Sequence, residues 1–364
     1  MQHTIPPKPI LLESSRAWRT YLGGKLIDEL HGAHNPADSN FPEEWLLSVV
    51  SARNVGRENV VEGLNMLEDG RSFKELLESD PSGYLGAEHA ARYGATPGVL
   101  VKLLDSGERL TVQVHPSKQQ AKELFDSEFG KTECWHILSC RTDGCEPACI
   151  YLGFREGITR EYWKDCFDRQ DISAMLECLH KIPVSPGETY LICGGVPHAI
   201  GAGCLLVEIQ EPTDYTIRTE RVTPSGLQVA DAMCHQGLGF EKMFDCFDYQ
   251  GFSLQETLQR WQIQATTLFE NESYRQTELV GYQDTPMFCI RSLQVQTQCT
   301  VERIKKFSGL YVLEGQGMAA GIPLKKGDQF FVPADCETFT IQNVGDQSLR
   351  VLQLYGPRID NERL

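Results

Sequence analysis

The stretch Leu110-Thr-Val-Gln-Val-His-Pro116 decides how this chain folds. Thr111, Gln113 and His115 alternate with two valines, and in a β-strand such alternation places the two sets on opposite faces. Proline cannot continue a hydrogen-bonded ladder, so we predict that the strand ends at Pro116. One face of the strand therefore presents an amide and an imidazole close together.

Two later stretches supply side chains of matching chemistry. In Gly130-Lys-Thr-Glu-Cys-Trp135, the side chains of Lys131 and Glu133 fall on one strand face. His198 follows the turn Gly194-Gly-Val-Pro197 at the start of another apolar strand. Donors on separate strands converge on one ion only if the sheet closes into a barrel. The sequence therefore predicts a β-barrel whose metal ligands are Gln113, His115, Glu133 and His198.

The types of donor narrow the choice of metal. Imidazole nitrogens and a carboxylate suit zinc, and manganese, iron and cobalt also accept them. A glutamine carbonyl is neutral, so the ion keeps more of its positive charge. Three or four protein ligands leave a position for water or substrate, which is typical of a catalytic site. We expect one Zn²⁺ per chain.

Charged residues surround the predicted ion. Lys102 lies within the apolar stretch Val99–Leu104, where a lysine needs a partner or an exposed edge. Lys131 shares a face with Glu133, and Asp214 and Arg218 follow His198. Cations at such a place hold a phosphate or stabilise an oxyanion. Glu208 shares a strand face with Gln210 and points inward if Val207 and Ile209 point outward. For Glu208 and Asp214, the alternative to a role in the site is a structural salt bridge.

Composition excludes some classes of partner. The chain has 364 residues, 41% of them hydrophobic and 23% charged, as in an ordinary soluble protein. Its formal charge of −16 argues against nucleic acid and anionic membranes as partners. The 13 cysteines form no Cys-x-x-Cys pair, which favours reduced thiols in the cytoplasm. We find no signal peptide or membrane span, and the oligomeric state stays open.

The order of predicted elements indicates a mainly β protein with helical insertions. We predict two cupin-like (jelly-roll) barrels and a small helical region. The predicted units are a catalytic barrel over residues 1–156 and 182–225 with a helical segment at about 59–94, helical or insert segments at 157–181 and 226–284, and a second barrel over 285–364.

The second barrel is predicted to hold no metal. Its stretch Lys326-Gly-Asp-Gln-Phe-Phe-Val332 repeats the pattern of Pro186-Gly-Glu-Thr-Tyr-Leu-Ile192. At the position that corresponds to His198 it has Thr338, and no histidine follows His235. Without nitrogen donors, its scattered acids do not make a transition-metal site.

With these residues in view, the chain resembles the type I mannose-6-phosphate isomerases, zinc enzymes of the cupin superfamily. The resemblance rests on Gln113-Val-His115, Lys131-Thr-Glu133 and Pro197-His-Ala199, and it is strongest across residues 99–221. This chain differs from that family in having Thr111 where the family often has serine. It also has Tyr21-Leu-Gly-Gly24 where Trp-Gly-Gly is common, and only Glu43-Glu-Trp45 of an early Gly-Glu-x-Trp.

The resemblance implies a function. The expected reaction interconverts mannose 6-phosphate and fructose 6-phosphate through an enediol(ate), with a small sugar phosphate as the partner. Expected catalytic residues are Arg218, Lys131 and Glu208, and expected substrate-binding residues are Lys102, Thr111 and Asp214. The alternatives are a related cupin isomerase for another sugar, a cupin metallo-oxygenase and a non-catalytic sugar-binding cupin. The basic residues count against the oxygenase, whose chemistry needs no such cluster.

Overall fold

A computed structural model describes residues 8–52, 54–142, 144 and 146–359. The fold is mainly β, as predicted, with short helices between strands. The strands of the first part are β1 (Ile10–Leu12), β2 (Ser15–Ala17), β3 (Glu43–Leu46), β4 (Leu100–Asp105), β5 (Gln113–Val114), β6 (Glu133–Cys140), β7 (Cys149–Phe154), β8 (Leu179–Pro183), β9 (Thr189–Ile192), β10 (His198–Ile200), β11 (Cys204–Gln210) and β12 (Ile217–Arg218).

The remaining elements complete the list. The later strands are β13 (Gln262–Ile263), β14 (Thr266–Glu270), β15 (Tyr274–Val280), β16 (Cys289–Val295), β17 (Gln298–Val301), β18 (Ser308–Glu314), β19 (Gln316–Ala319), β20 (Ile322–Lys325), β21 (Gln329–Val332), β22 (Phe339–Asn343) and β23 (Leu349–Tyr355). The helices are α1 (Lys25–Leu30), α2 (Phe73–Ser79), α3 (Pro81–Leu85), α4 (Ala87–Tyr93), α5 (Lys118–Phe125), α6 (Arg160–Arg169), α7 (Ile172–Glu177), α8 (Asp231–His235), α9 (Gly239–Lys242) and α10 (Leu254–Trp261), with a 3₁₀ turn at Met243–Cys246.

Two sheets face each other in the first barrel. Their strand orders are β13-β9-β6-β11-β4-β3-β2 and β12-β5-β10-β7-β8. Neighbouring strands within each sheet are antiparallel. Buried residues of both sheets, among them Trp135, Leu206 and Ile150, pack into one cluster. Because strand residues alternate between faces, every second residue of β6 and β11 points into this interior.

The second barrel has the same plan with different strands. Its sheets have the orders β1-β21-β18-β23-β16-β15-β14 and β17-β22-β19-β20. Leu310, Phe330 and Val351 of the larger sheet pack with Ile341 of the smaller one. These buried side chains form a continuous apolar cluster, so burial of apolar surface is the main force that holds the two sheets together.

The two larger sheets also pack against each other. Val101 and Val207 of the first barrel share an apolar cluster with Phe331 and Leu352 of the second, and Phe73 of α2 joins them. On the other side of the first barrel, α6 and α7 cover the five-stranded sheet. In the part of the chain that the structure describes, no helix has the length and apolar character needed to cross a bilayer.

The helical segment predicted at about 59–94 is shorter than expected. Helix begins only at Phe73, where Ser72 and Glu75 form a capping box. Upstream, Gly63 adopts a φ of 89°. A Cβ at Gly63 would stand 2.4 Å from the Trp45 ring, so the chain passes close over that ring and does not form a helix there.

The segment predicted as helical or insert at 226–284 is helical only up to Trp261. Beyond that residue, β13 extends a sheet of the first barrel, and the hairpin β14–β15 extends the larger sheet of the second. Asn271 makes the turn of this hairpin, because its Oδ1 accepts from the backbone N–H groups of Ser273 and Tyr274. The prediction that residues 1–156 all lie in the first barrel is also wrong at β1, which pairs with β21.

Candidate metal centre and adjoining pocket

The strand register brings the four predicted metal ligands together. Gln113 on β5 and His198 on β10 are directly paired across the smaller sheet. His115 follows β5, and Glu133 begins β6 in the facing sheet. His115, Glu133 and His198 are buried, with exposed fractions of 1%, 0% and 0%. The site therefore lies inside the first barrel, between its two sheets.

The distances fit a single ion. His115 Nε2 lies 3.1 Å from Glu133 Oε2, and His198 Nε2 lies 3.4 Å from Glu133 Oε1. One donor atom from each of these residues falls within 4.8 Å of the others. Ligand atoms of a tetrahedral zinc site are separated by about 3.3 Å, since each lies roughly 2 Å from the ion. Within the described ranges, no other group of three such donors is this close.

Hydrogen bonds on the far side of each imidazole turn the lone pair of its Nε2 toward the site. His115 Nδ1 lies 2.8 Å from the Tyr215 carbonyl oxygen, and His198 Nδ1 lies 2.9 Å from that of Val196. Because a carbonyl only accepts, each Nδ1 carries the proton and each Nε2 keeps its lone pair. Metal-binding histidines are held in this way.

The electrostatics favour the ligand forms. Burial, with the nearby Lys131 charge, lowers the pKa of His115 to about 4, and burial also lowers the pKa of His198. Burial alone would raise the pKa of Glu133, but the Lys131 charge brings it well below its usual range. At neutral pH both imidazoles are therefore neutral and the carboxylate is charged, as metal binding requires.

Three further observations fit a cation at this point. Glu133 Oε1 is buried and accepts no hydrogen bond. Lys131 Nζ lies 2.7 Å from His115 Nε2 and 2.6 Å from Glu133 Oε2, so its ammonium donates to lone pairs that an ion would use. The Gln113 amide nitrogen lies 3.2 Å from His198 Nε2. A half-turn of that amide would place its carbonyl oxygen, an atom type that can coordinate a metal, at this position. These residues fit a divalent metal ion.

A polar pocket opens beside this centre. All of the predicted catalytic and substrate-binding residues line it, namely Lys102, Thr111, Lys131, Glu208, Asp214 and Arg218. Across the smaller sheet, Arg218, Gln113 and His198 stand directly opposite one another on three adjacent strands. In the facing sheet, Glu208 is paired with Lys102 on one side and Trp135 on the other.

Lys102 and Glu208 form a buried ion pair in this pocket. Lys102 Nζ donates to Glu208 Oε1 at 3.0 Å, and the Trp135 indole donates to Glu208 Oε2 at 3.2 Å. Burial works against the Lys102 charge, but Glu208 and Glu43 together raise its pKa above its ordinary value. The lysine that seemed out of place in an apolar strand therefore has carboxylate partners inside the barrel.

Arg218 is held differently. Its Nη1 donates to the carbonyl oxygens of Thr216 at 3.2 Å and Met233 at 3.0 Å. Burial lowers its pKa, and the charge of Asp214 opposes that change. Among the described residues, no carboxylate lies within 4.0 Å of its guanidinium nitrogens. Arg218 therefore brings positive charge into the pocket that no ion pair neutralises.

Among the pocket residues that sequence reasoning did not assign are Arg19, Tyr21 and Glu43. Glu43 accepts hydrogen bonds from the Tyr21 hydroxyl at 2.8 Å, Arg19 Nε at 2.9 Å and the Trp45 indole at 2.7 Å. The Glu-x-Trp spacing at 43–45 was a usable signal for Glu43, since strand alternation puts both side chains on one face. Nothing in the local sequence pointed to Arg19.

Comparison with known proteins gives a consistent result, although no protein-family model matches the chain. Mannose-6-phosphate isomerase ManA of Bacillus subtilis is 27% identical over 293 residues, which cover 78% of this chain and 82% of that protein. The mannose-6-phosphate isomerase of Streptococcus mutans is 26% identical over 337 residues, covering 90% of this chain and 92% of that protein.

Solved structures show the same fold. The crystal structure of the Bacillus subtilis mannose 6-phosphate isomerase superimposes with a TM-score of 0.72 at 23% identity, over 96% of this chain and 99% of that one. The apo form of the Salmonella typhimurium enzyme gives 0.70 at 15% identity, over 96% and 100%. The resemblance carried by the motifs is thus confirmed, and the chain is identified as a relative of the type I mannose-6-phosphate isomerases with their cupin fold.

Proposed function

We propose that this protein is a metal-dependent aldose–ketose isomerase that interconverts mannose 6-phosphate and fructose 6-phosphate through an enediol(ate). The observation that carries the proposal is the placement of the three close metal donors beside a buried pocket with Arg218, Lys131 and Lys102 in its wall. Relatives named for this reaction align along most of the chain.

The reaction moves one proton from C2 to C1, while a hydroxyl proton passes from O2 to O1. Gln113, His115, Glu133 and His198 would hold one divalent ion, which we propose to be Zn²⁺, and the bound ion would act as a Lewis acid toward the sugar oxygens. Lys131 and Arg218 stabilise the negative charge that develops on these oxygens.

Glu208 is our nominee for the group that carries the proton. Its carboxylate lies inside the barrel and is fixed by Lys102 at 3.0 Å and Trp135 at 3.2 Å. A general base needs such fixed orientation toward the carbon it deprotonates. We assign Thr111 and Asp214 to the binding of sugar hydroxyls, because both line the pocket and carry oxygens that accept from them.

We also propose a cytoplasmic location and no nucleic-acid or membrane partner. All cysteines in the described part of the chain are free, and most are buried. Free thiols in such number are typical of a reducing compartment. The charge of −16 opposes binding to polyanions.

The proposal is tested by incubating the metal-loaded protein with mannose 6-phosphate in D₂O and analysing the product by NMR. We expect fructose 6-phosphate with deuterium at C1, because an enediol exchanges its proton with solvent through the base. Turnover of another aldose phosphate but not of mannose 6-phosphate would favour the related isomerase. Binding without turnover of any sugar phosphate would favour the non-catalytic sugar-binding cupin.

A further inference from the structure

Arg19 joins two acids across the pocket. Its exposed fraction is only 6%. Its Nε donates to Glu43 Oε2 at 2.9 Å, and its two terminal nitrogens donate to the two Asp214 oxygens, each at 3.3 Å. The guanidinium also stacks on the Trp45 ring, 4.9 Å from its centroid. All of its donor nitrogens therefore point at pocket carboxylates.

The two acids differ in how firmly the backbone holds them. Glu43 lies on β3, between β2 and β4 of the larger sheet. Asp214 lies in the connection between β11 and β12, outside any strand. A planar guanidinium that binds both oxygens of a carboxylate fixes its orientation as well as its position. Arg19 thus fastens a loop carboxylate to one on a strand.

The same contacts reach the proposed base. Glu43 Oε2 lies 3.8 Å from Lys102 Nζ, which in turn donates to Glu208 at 3.0 Å. Asp214, Arg19, Glu43, Lys102 and Glu208 therefore form a series of alternating charge that is buried except at Asp214, which is partly exposed. In such a network, loss of a charged group at one end alters the position and the ionisation of the groups at the other end.

Arg19 also governs the ionisation of the two acids. Burial would raise the pKa of each carboxyl, but Arg19 and then Lys102 bring both below their ordinary values. The other charges and titratable groups that face them are Lys131 and Arg218, which are positive, and Tyr21 and Glu208. Arg19 is the largest of the favourable influences on both acids.

We propose that Arg19 is a positioning residue of the isomerase: it holds Asp214 and Glu43 in the places from which they shape the sugar pocket and the Lys102–Glu208 pair. This proposal rests on the proposed function. Arg19 acts through these carboxylates and does not contact the reacting atoms.

The structure offers a matched control. Arg141 also bridges two acids, Asp38 and Asp105, with contacts from 2.6 to 3.2 Å. It follows the far end of β6, roughly 25 Å along the strand from Glu133 at ~3.3 Å per residue. Arg141→Gln therefore removes the same kind of ion pair away from the pocket.

The experiment compares Arg19→Gln, Arg19→Lys and Arg141→Gln in the full-length, metal-loaded protein. For Arg19→Gln we expect kcat/KM to fall about 10- to 100-fold, in the range for groups that orient a catalytic site. We expect the acid limb of its pH–rate profile to move to higher pH, because Asp214 and Glu43 then protonate more easily. Arg19→Lys keeps a charge and should restore the acid limb and part of the rate.

Arg141→Gln should lose stability and keep the wild-type pH profile. If Arg19→Gln keeps that profile too, with a rate loss no larger than that of Arg141→Gln, Arg19 is merely structural and the inference is wrong. Carbon-13 NMR of the Asp214 carboxyl provides a readout that does not need turnover. An unchanged Asp214 pKa in Arg19→Gln would overturn the inference, whereas an inactive wild-type protein would overturn the proposed function.

Discussion

The two barrels share one plan and differ in what they enclose. The cluster inside the second barrel is apolar, with Leu310, Val312 and Phe330 from the larger sheet. Inward positions of the first barrel carry Lys102 and Glu208 as well as apolar residues. Alternation along the strands therefore sets the fold of both barrels, and the polarity of a few inward positions sets which one has chemistry.

This difference also has a cost for stability. A buried ion pair gains little or nothing over apolar side chains of similar size. The first barrel compensates by packing its outer face on the second through residues such as Val207, Leu352 and Phe331. The second barrel thus contributes stability that the pocket of the first does not supply.

The largest expected effect comes from separating the barrels. A fragment that ends near residue 265, before β14, should aggregate or stay unfolded, because it exposes Val101, Val207 and Phe73 to water. Gel filtration and circular dichroism of the purified fragment measure this. A soluble, folded and active fragment would show that the first barrel stands alone.

Removal of the Arg218 charge from the pocket should have the next largest effect. We expect Arg218→Gln to lower kcat by about 10²- to 10³-fold, the usual effect of losing one transition-state donor. The variant also loses two hydrogen bonds from a half-buried side chain to carbonyl oxygens, so we expect it to lose about 1–3 kcal/mol of stability. Steady-state kinetics and urea unfolding check both effects, and near-wild-type turnover in the folded variant would exclude Arg218 from catalysis.

Replacing the buried Lys102–Glu208 ion pair by apolar residues would make the interior of the first barrel apolar, like that of the second. Lys102→Met leaves the Glu208 carboxylate buried with only the Trp135 donor, so we expect a loss of about 3–5 kcal/mol in unfolding free energy. Adding Glu208→Leu should recover most of that loss without restoring turnover. Urea unfolding of the single and double variants measures it, and a double variant no more stable than Lys102→Met would contradict this interpretation.

The smallest effect concerns pH and the interface between the barrels. Burial lowers the pKa of His89 and of His136 from 6.5 to about 4. His89 packs on Phe307, and His136 faces Arg350. Between pH 6.5 and 4 both histidines stay neutral in the folded chain, whereas in the unfolded chain they take up protons. Their contribution to the free energy of unfolding is therefore complete above pH 6.5 and is lost as the pH falls toward 4.

Each of these two histidines is worth on the order of 3 kcal/mol across that window. We expect unfolding free energy to drop more steeply between pH 6.5 and 4 in the wild type than in His136→Gln. The exposed His34 provides a control, since His34→Gln should leave the pH dependence unchanged. Equal slopes in all three proteins would exclude a role for His136.

How far the sequence predicts the structure depends on distance along the chain. Gln113 and His115 share a strand face, so their convergence follows from alternation and a closed barrel. Arg19 and Asp214 meet across 195 positions, and no local pattern encodes that contact. The same holds for β1, whose pairing with β21 joins Ile10 to Phe331. Local periodicity predicts which side chains share a strand face, whereas contacts between residues far apart in the sequence depend on tertiary packing.

A metal titration tests our central claim most directly, namely that the donor cluster of the first barrel makes this chain a metal-dependent isomerase. Metal-stripped protein is titrated with Zn²⁺, and conversion of mannose 6-phosphate to fructose 6-phosphate is measured at each step. We predict that activity rises linearly and levels off at about one ion per chain. Full activity without metal, or a plateau that His115→Ala also reaches at the same stoichiometry, would contradict the claim.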